Sequence, residues 1–421
     1  MHVENETFSF ATACVVGLGY IGLPTAATLA ACGVDVKGVD INQDIVDKLN
    51  GGLAHFSEPD LDELVQRVVT NGKLQAYTMP QSADVFVIAV PTPMLPDKSP
   101  DMRHVESATR SLTNVLESGN VVILESTSPV GSTKMIEDII RKERPDLVDG
   151  DALSLSLAYC PERILPGQMV RELIENDRIV GGQTPAAALR ASAFYRKFVK
   201  GQILVTDART AELVKLIENA YRDVNIAFAN EIANICDNGG MDAWDAIRLA
   251  NHHPRVNILN PGPGVGGHCI AIDPWFLITQ NPGLSKLMAE ARRINDERPE
   301  SVLGKIRHAC GNANTRRVAC FGLAYKPDVD DLRESPAVKI AGTLADEGFK
   351  VLVVEPHITQ LPSSLASKSN VKLVDASTAI SDDGVIAILV AHSEFSATPL
   401  MFEGKTTIDP VGLLAHTEKR A

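Results

Sequence analysis

The stretch Thr12–Asn42, TACVVGLGYIGLPTAATLAACGVDVKGVDIN, decides the fold. Val15 and Val16 belong to a short buried strand, and Gly17, Gly19 and Gly22 follow as G-x-G-x-x-G. An Ala/Leu-rich helix is expected over 24–31, then a second strand, VDVKGVDI, that ends at Asp40, 18 positions after Gly22. Each part has a physical role. Gly17 permits the tight turn, Gly19 lets a pyrophosphate approach the backbone, and Gly22 lets the helix pack close to the sheet. The helix N-terminus faces the phosphates. Asp40 accepts hydrogen bonds from the adenosine ribose, which favours NAD over NADP. A lone G-x-G-x-x-G is a common glycine turn; with both strands and the acid in place it reads as a cofactor cradle, with Tyr20 and Ile21 inside it.

Outward from this unit, ADVFVIAVPTP and NVVILESTSPVGST read as further strands that end in polar loops. Ligands sit at the carboxyl ends of strands in such sheets, so Pro91, Thr92, Pro93 and the segment from Glu125 to Gly131, Thr127 included, are expected to line the cofactor site. Over 206–238 the period changes: Leu213, Ile217, Ala220/Tyr221, Val224, Phe228, Ile232 and Ile235 recur at three- and four-residue steps. That spacing predicts one long amphipathic helix, closed by Gly239-Gly240, whose apolar stripe fits a core or, in part, a dimer interface. More helix is expected over 241–250 and 284–311, broken near Pro299. From Arg316 strand–helix alternation returns in RRVACFGLAYKP, ESPAVKIAGTLADEG, FKVLVVEP, VIAILVAH and TTIDP. The expected fold class is α/β: two Rossmann-like doubly wound domains, the second without G-x-G-x-x-G, joined by a central helical domain with one long helix. The expected boundaries are 1–205, 206–312 and 313–421.

Bulk properties agree with this plan. At 421 residues the chain exceeds one ordinary core. Its 45% hydrophobic and 22% charged composition is that of a soluble globular protein. A net charge of −13 argues against broad nucleic-acid or anionic-membrane binding, while leaving room for a local basic pocket. The acidic N-terminus has no basic n-region and does not read as a signal peptide. The apolar runs are too short to span a bilayer. Seven scattered cysteines without a C-x-x-C pair argue against a disulfide framework or a zinc site and for a reducing cytoplasm, and no metal is expected.

The chemistry points to Pro261–Asp273, PGPGVGGHCIAID. A glycine loop around a buried cysteine is the ordinary reading. The sharper one is that the glycines bring backbone close to a substrate and Cys269 is a nucleophile. Lys215 and Asn219 are four residues apart and share a helix face, although a helical Lys is more often simply solvated. Asp273 could cap the helix that starts at PWFLITQ, and Glu162 in YCPERILPG could be a surface turn residue.

Six segments in order, GLGYIGLP, ESTSPVGST, PERILPG, KLIENAYRDVNIAFANE, GPGVGGHCIAID and FGLAYKPDVDDLRESPA, resemble the UDP-glucose/GDP-mannose dehydrogenase family along nearly the whole chain. The resemblance implies oxidation of a sugar C6 alcohol to a carboxylate, with two NAD reduced per sugar. Residues 1–205 would bind NAD, 206–312 would carry the cysteine loop and the dimer contact, and 313–421 would bind the UDP-sugar. Cys269 would trap the aldehyde as a thiohemiacetal and carry it to a thioester, with Gly266 and Gly267 admitting the sugar. Lys215 would stabilise the oxyanion and help lower the thiol pKa, with Asn219 donating a hydrogen bond. Asp273 would orient or deprotonate the hydrolytic water. Glu162 and Thr127 would hold another water or the C6 oxygen. Lys326 would approach the UDP, Arg333 the cofactor and the domain interface, and Arg255 the nucleotide sugar of a partner subunit in a homodimer.

Departures matter. His268 and Ile272 stand where UDP-glucose dehydrogenases usually carry Ser and Lys, and Arg163 makes PEF into PER. They favour a 2-acetamido sugar, UDP-N-acetyl-D-mannosamine first, ahead of UDP-N-acetylglucosamine and UDP-glucose. His268 could tune the thiol or simply fill the loop. Two other classes compete: a two-electron hydroxyacid-type dehydrogenase, which needs no thiol, and an NAD sensor, which needs no nucleophile.

Overall fold

The computed structural model describes residue 8 and residues 10–415, apart from 57, 165 and 166. Most of the acidic N-terminus, and Leu165-Pro166 of the PERILPG segment, therefore lie outside the described residues. The chain forms two compact units, Met1–Ile217 and Glu218–Ala421.

The first unit holds strands β1 (Thr12–Val16), β2 (Asp35–Val39), β3 (Leu74–Tyr77), β4 (Val85–Ile88) and β5 (Val121–Leu124). A small antiparallel hairpin, β6 (Val148–Asp149) and β7 (Ala152–Leu153), precedes β8 (Ser156–Tyr159), β9 (Arg178–Gly182) and β10 (Ile203–Asp207). The main sheet has the order β10-β9-β8-β5-β4-β1-β2-β3. Its pairs are parallel except β8 with β9. β4 and β5 are apolar at every position, VFVI and VVIL, because helices cover both faces. Val15 and Val16 show the alternation directly: they enter two different cores, with Leu23 and Phe194, and with Phe86 and Ile136. Strand order reverses at β1, so the crevice between the ends of β1 and β4 is the switch point where ligands of such sheets bind.

The long helix is observed over Ala208–Gly239 and ends at Gly240 in the left-handed region, φ +65°. It crosses from the first unit into the second. Its apolar stripe is not simply core. Leu213, Ile217, Tyr221, Phe228 and Ile235 are exposed, whereas the buried side carries small residues, Ala220, Ala227, Ala229 and Ala233.

In the second unit, helix Lys286–Asn312 runs unbroken through Pro299, contrary to the expected break. Proline removes one intrahelical bond, but tertiary ties hold the turn. Asn295 Nδ2 donates to the Asp223 carbonyl at 2.9 Å, and Arg298 Nε to the Gly262 carbonyl at 2.9 Å. Strands β11 (Arg317–Phe321), β12 (Lys350–Val354), β13 (Val371–Leu373), β14 (Val385–Ile388) and β15 (Thr407–Ile408) form a parallel sheet in the order β13-β12-β11-β14-β15.

This sheet lacks the glycine motif yet repeats its turn. Gly17 (φ +92°) donates to the Val39 carbonyl at 2.8 Å, and Leu18 N donates to the Asp40 carboxylate at 3.1 Å. Gly322 (φ +90°) donates to the Val354 carbonyl at 2.8 Å, and Leu323 N to the Glu355 carboxylate at 2.7 Å. Among the described residues no helix is long and apolar enough to cross a membrane.

Candidate active site

The three glycines of the first turn divide the work. A side chain at Gly17 would come within 2.6 Å of the Ala89 carbonyl oxygen, and one at Gly22 within 1.7 Å of the Gly17 oxygen. At Gly19 no described atom lies within 4 Å of the same position. Gly19 therefore faces open space, as the approach of a pyrophosphate requires, while its neighbours close on protein. Asp40 spends one lone pair of each oxygen on Leu18 N and Asn42 N, at 3.1 and 2.9 Å. The other lone pair of each oxygen remains for a ribose. Tyr20 stacks on Phe56 with ring centroids 4.4 Å apart, and Ile21 leads into helix Gly22–Ala31.

Loops at the carboxyl ends of β4 and β5 are laced together. Thr92 Oγ1 donates to the Thr127 carbonyl, and Ser126 Oγ donates to the Val90 carbonyl at 2.6 Å, with Pro91 exposed between. The N-terminus of the next helix, Ser132–Glu143, is already occupied: Gly131 N and Thr133 N donate to the buried Glu212 carboxylate at 2.6 and 2.7 Å. Glu162 is buried rather than a surface turn residue, and it accepts from Ile164 N. Arg163 donates to the Asp177 carbonyl at 3.1 Å. Glu58 ties the same loop down through Gly167 N and Met169 N, at 2.9 and 2.8 Å. Lys215 is only 6% exposed, so it is not a solvated helix lysine. Burial raises the pKa of the Glu125 carboxyl, opposed by Arg178, Tyr195 and Thr25. Burial pushes the neighbouring Cys160 thiol to about 11, which leaves it inert at neutral pH.

The other thiol is different. None of the seven cysteines is in a disulfide; Cys269 and Cys32 are exposed. The Cys269 carbonyl accepts from Ile272 N and Asp273 N at 3.1 and 2.8 Å, so Cys269 stands in the turn that opens helix Asp273–Gln280. A helix N-terminus favours thiolate. Asp273 is not the cap of that helix. It is the first residue inside, 3% exposed, and accepts from Asn219 Nδ2 at 2.6 Å. Buried polar groups tether both ends of the loop. Gly262 N donates to Asn230 Oδ1 at 3.0 Å, and Arg292, paired with Asp223 at 2.6 Å, reaches the Ile270 carbonyl at 3.4 Å.

One expectation changes here. The room that side chains at Gly266 and Gly267 would take is filled by the chain itself: the Glu334 oxygen at 2.6 Å and the Tyr325 ring at 2.7 Å respectively. On the side where a side chain would stand, these glycines admit the loop 325–336. Gly267 N donates to the Arg333 carbonyl at 3.1 Å, while the Arg333 guanidinium binds Asp331. His268 keeps an exposed edge while its ring is partly enclosed; that burial, then Arg333, lowers its pKa, so it is a neutral neighbour of the thiol at pH 7. Lys326 Nζ lies 5.9 Å above the Tyr325 ring, and Arg255 sits on the exposed turn after helix Ala243–Ala250.

Asp328, His357, His392 and Glu394 offer atoms within 4.8 Å of one another. His392 is already committed, however. Its Nδ1 accepts from Asp328 N at 3.0 Å, so the proton is on Nε2, which faces Glu355 at 3.0 Å.

Asn219, Cys269, Asp273, Lys326 and Arg333 thus lie in the second unit, and the cofactor cradle, Thr127, Glu162 and Lys215 in the first. Sequence reasoning missed Tyr325, Asp223, Arg292, Glu58 and Glu212. Only Tyr325 carried a signal, as the neighbour of Lys326 in AYKP.

The chain belongs to the UDP-glucose/GDP-mannose dehydrogenase family. That family's NAD binding domain matches residues 11–199, its central domain 209–297 and its UDP binding domain 319–416. It is an NAD-dependent oxidoreductase. More particularly, it is 53% identical over 402 residues to the UDP-N-acetyl-D-mannosamine dehydrogenase of Yersinia pestis, covering 92% of this chain and 95% of that one. It is 51% identical over 391 residues to the NDP-N-acetyl-D-galactosaminuronic acid dehydrogenase of Ralstonia nicotianae, with 92% of each covered. Among solved structures, the UDP-D-ManNAc dehydrogenase of Pyrococcus horikoshii superposes with a TM-score of 0.86 at 36% identity, covering 96% of each chain.

Proposed function

We propose that this protein oxidises UDP-N-acetyl-D-mannosamine at C6 to UDP-N-acetyl-D-mannosaminuronate, for the biosynthesis of a bacterial surface polysaccharide. The observation that carries the reading is an exposed thiol in a tethered turn, followed by a buried carboxylate held by Asn219. The names of the relatives supply the sugar. Bound NAD accepts one hydride in each of two oxidations.

The residues do the rest. Removal of the C6 hydroxyl proton and of one hydride leaves an aldehyde. The Cys269 thiolate adds to its carbon, and the new alkoxide takes up a proton, giving a thiohemiacetal. Loss of that proton and of a second hydride gives a thioester. Asp273, positioned by Asn219, takes a proton from water as it attacks the acyl carbon, and the sulfur leaves with the C–S electron pair. Per sugar, one water is consumed, and two hydrides and three protons are released with the carboxylate. Lys215 supplies positive charge to the developing oxyanion, and Thr127 and Glu162 hold the C6 oxygen or a water. Glu162, Arg163, Arg255, His268, Lys326 and the backbone at Gly266 bind the nucleotide sugar; Arg333 stands near the cofactor. Division at 1–205, 206–312 and 313–421 separates cofactor, thiol loop and UDP-sugar functions.

The exposed apolar side chains of the long helix support a homodimer, in which Arg255 reaches the partner's site. Cysteines outside any disulfide and the two nucleotide ligands suit the cytoplasm. Purified protein offered UDP-N-acetylmannosamine, UDP-N-acetylglucosamine, UDP-N-acetylgalactosamine and UDP-glucose should reduce NAD fastest with the first, at two NADH per sugar. No NADH from that substrate rejects the assignment. One NADH per sugar would instead favour a two-electron enzyme.

A further inference from the structure

Gly267, two positions before Cys269, is closed against an aromatic ring. Gly267 adopts φ +80°, and a Cβ there would lie 2.7 Å from Tyr325 Cε2 and 2.9 Å from Cδ2. The ring therefore lies directly on the Gly267 α-carbon. At Gly266 the same construction meets the Tyr325 Cβ at 3.0 Å and the Pro336 Cδ at 2.9 Å. Tyr325 is itself fixed, since its N–H donates to the Asp331 carbonyl at 3.0 Å, and Gly267 N is bonded to Arg333 at 3.1 Å. Beyond this clamp, His268 and Cys269 are exposed residues. Only His268 separates the clamped α-carbon from that of Cys269.

We propose that Tyr325 is a positioning residue, whose ring, pressed on Gly267, sets where the Cys269 sulfur stands when the aldehyde forms. The proposal rests on Cys269 being the nucleophile. Burial, with negative charge at Asp331 and Cys269, raises the Tyr325 hydroxyl pKa, so the phenol stays neutral near the thiol and the flat ring is what the loop feels. A displacement of about 1 Å at a reacting atom costs on the order of 100-fold in rate. Loss of the ring frees the loop to move by that much. The first hydride transfer does not involve sulfur and survives. Capture of the aldehyde does involve it and fails, so aldehyde escapes before the second oxidation.

The test compares Tyr325→Phe, Tyr325→Ala and the unaltered protein, by NADH-to-sugar stoichiometry and by trapping free aldehyde with a hydroxylamine. Tyr325→Ala should form carboxylate about 10- to 100-fold more slowly, release trappable aldehyde, and fall from two NADH per sugar towards one, with its KM for NAD unchanged. Tyr325→Phe should retain two NADH per sugar and release no aldehyde. A slow Tyr325→Ala that still yields two NADH without free aldehyde overturns the proposal, as does a Tyr325→Phe that leaks equally. If Tyr325→Ala does not fold, Gly267→Ala presses the same contact from the other side. A soluble Gly267→Ala with the stoichiometry of the unaltered protein overturns the proposal too. Failure of the underlying reading is distinct: Cys269→Ser would then still make carboxylate with two NADH.

Discussion

Asn219 Nδ2 lies 2.6 Å from Asp273 Oδ2, joining the long helix to the helix that the cysteine turn opens. The bond keeps the Asp273 carboxylate in a fixed orientation beside the cysteine turn. Asp273→Asn keeps the shape and removes the base. Turnover should fall by roughly 100- to 10,000-fold, while both hydride transfers still proceed once. The expected result is a burst of two NADH per chain and an acyl adduct on the Cys269 peptide in mass spectrometry. A slow variant without that adduct would assign water activation elsewhere.

The glycine turn predicts two different phenotypes for two chemically identical changes. Gly22→Ala drives a Cβ onto the Gly17 carbonyl and should cost about 1–3 kcal/mol of stability. Gly19→Ala meets open space, so the fold should melt as before, while the affinity for NAD falls by about tenfold or more, about 1.4 kcal/mol. Thermal melts and NAD titrations of the two variants check both outcomes. Equal melting temperatures would contradict the geometry.

Glu355 gives the second unit an acid limit. Burial alone would raise its carboxyl pKa, but His392 and the N–H groups of Leu323 and Ala324 outweigh burial and hold it below the ordinary value. It therefore stabilises the fold above the ordinary glutamate range, and that contribution is lost as pH falls through the depressed folded value. Glu355→Gln should be less stable than the unaltered protein at pH 7, and the gap should narrow in acid. Urea unfolding at several pH values measures it.

The proposed homodimer has its own test. Cys269→Ser and Arg255→Ala are each expected to be inactive. If Arg255 serves the partner's site, mixing them with subunit exchange rebuilds one complete site per mixed dimer, restoring about a quarter of full activity. No recovery after demonstrated exchange would place Arg255 in its own subunit's site.

The sequence was most readable where one residue does one job. Gly17, Gly22 and the strand around Val15 and Val16 are fixed by local geometry, and the long helix by its period. Reading failed where partners are distant in the chain. Nothing near Pro299 announces that Asn295 and Arg298 will hold the helix together, and nothing in PGPGVGG tells whether its glycines face a sugar or Tyr325. The stripe of the long helix was visible, but its period does not distinguish burial from exposure, and Tyr221 and Phe228 proved exposed. Strand β10 was missed because ILVTD, at a sheet edge, has no buried face to impose alternation.

The repeated turn at Gly17 and Gly322 bears on how one chain tells two nucleotides apart. Asp40 keeps a vacant acceptor on each oxygen, whereas Glu355 is drawn inward by an imidazole and three amides. The Glu355 side chain is also wholly buried, so a ribose arriving at the later turn does not reach it. Duplicate architecture thus need not mean duplicate cargo: the carboxylate that ends the second strand is half-buried in the earlier sheet and sealed from solvent in the later one.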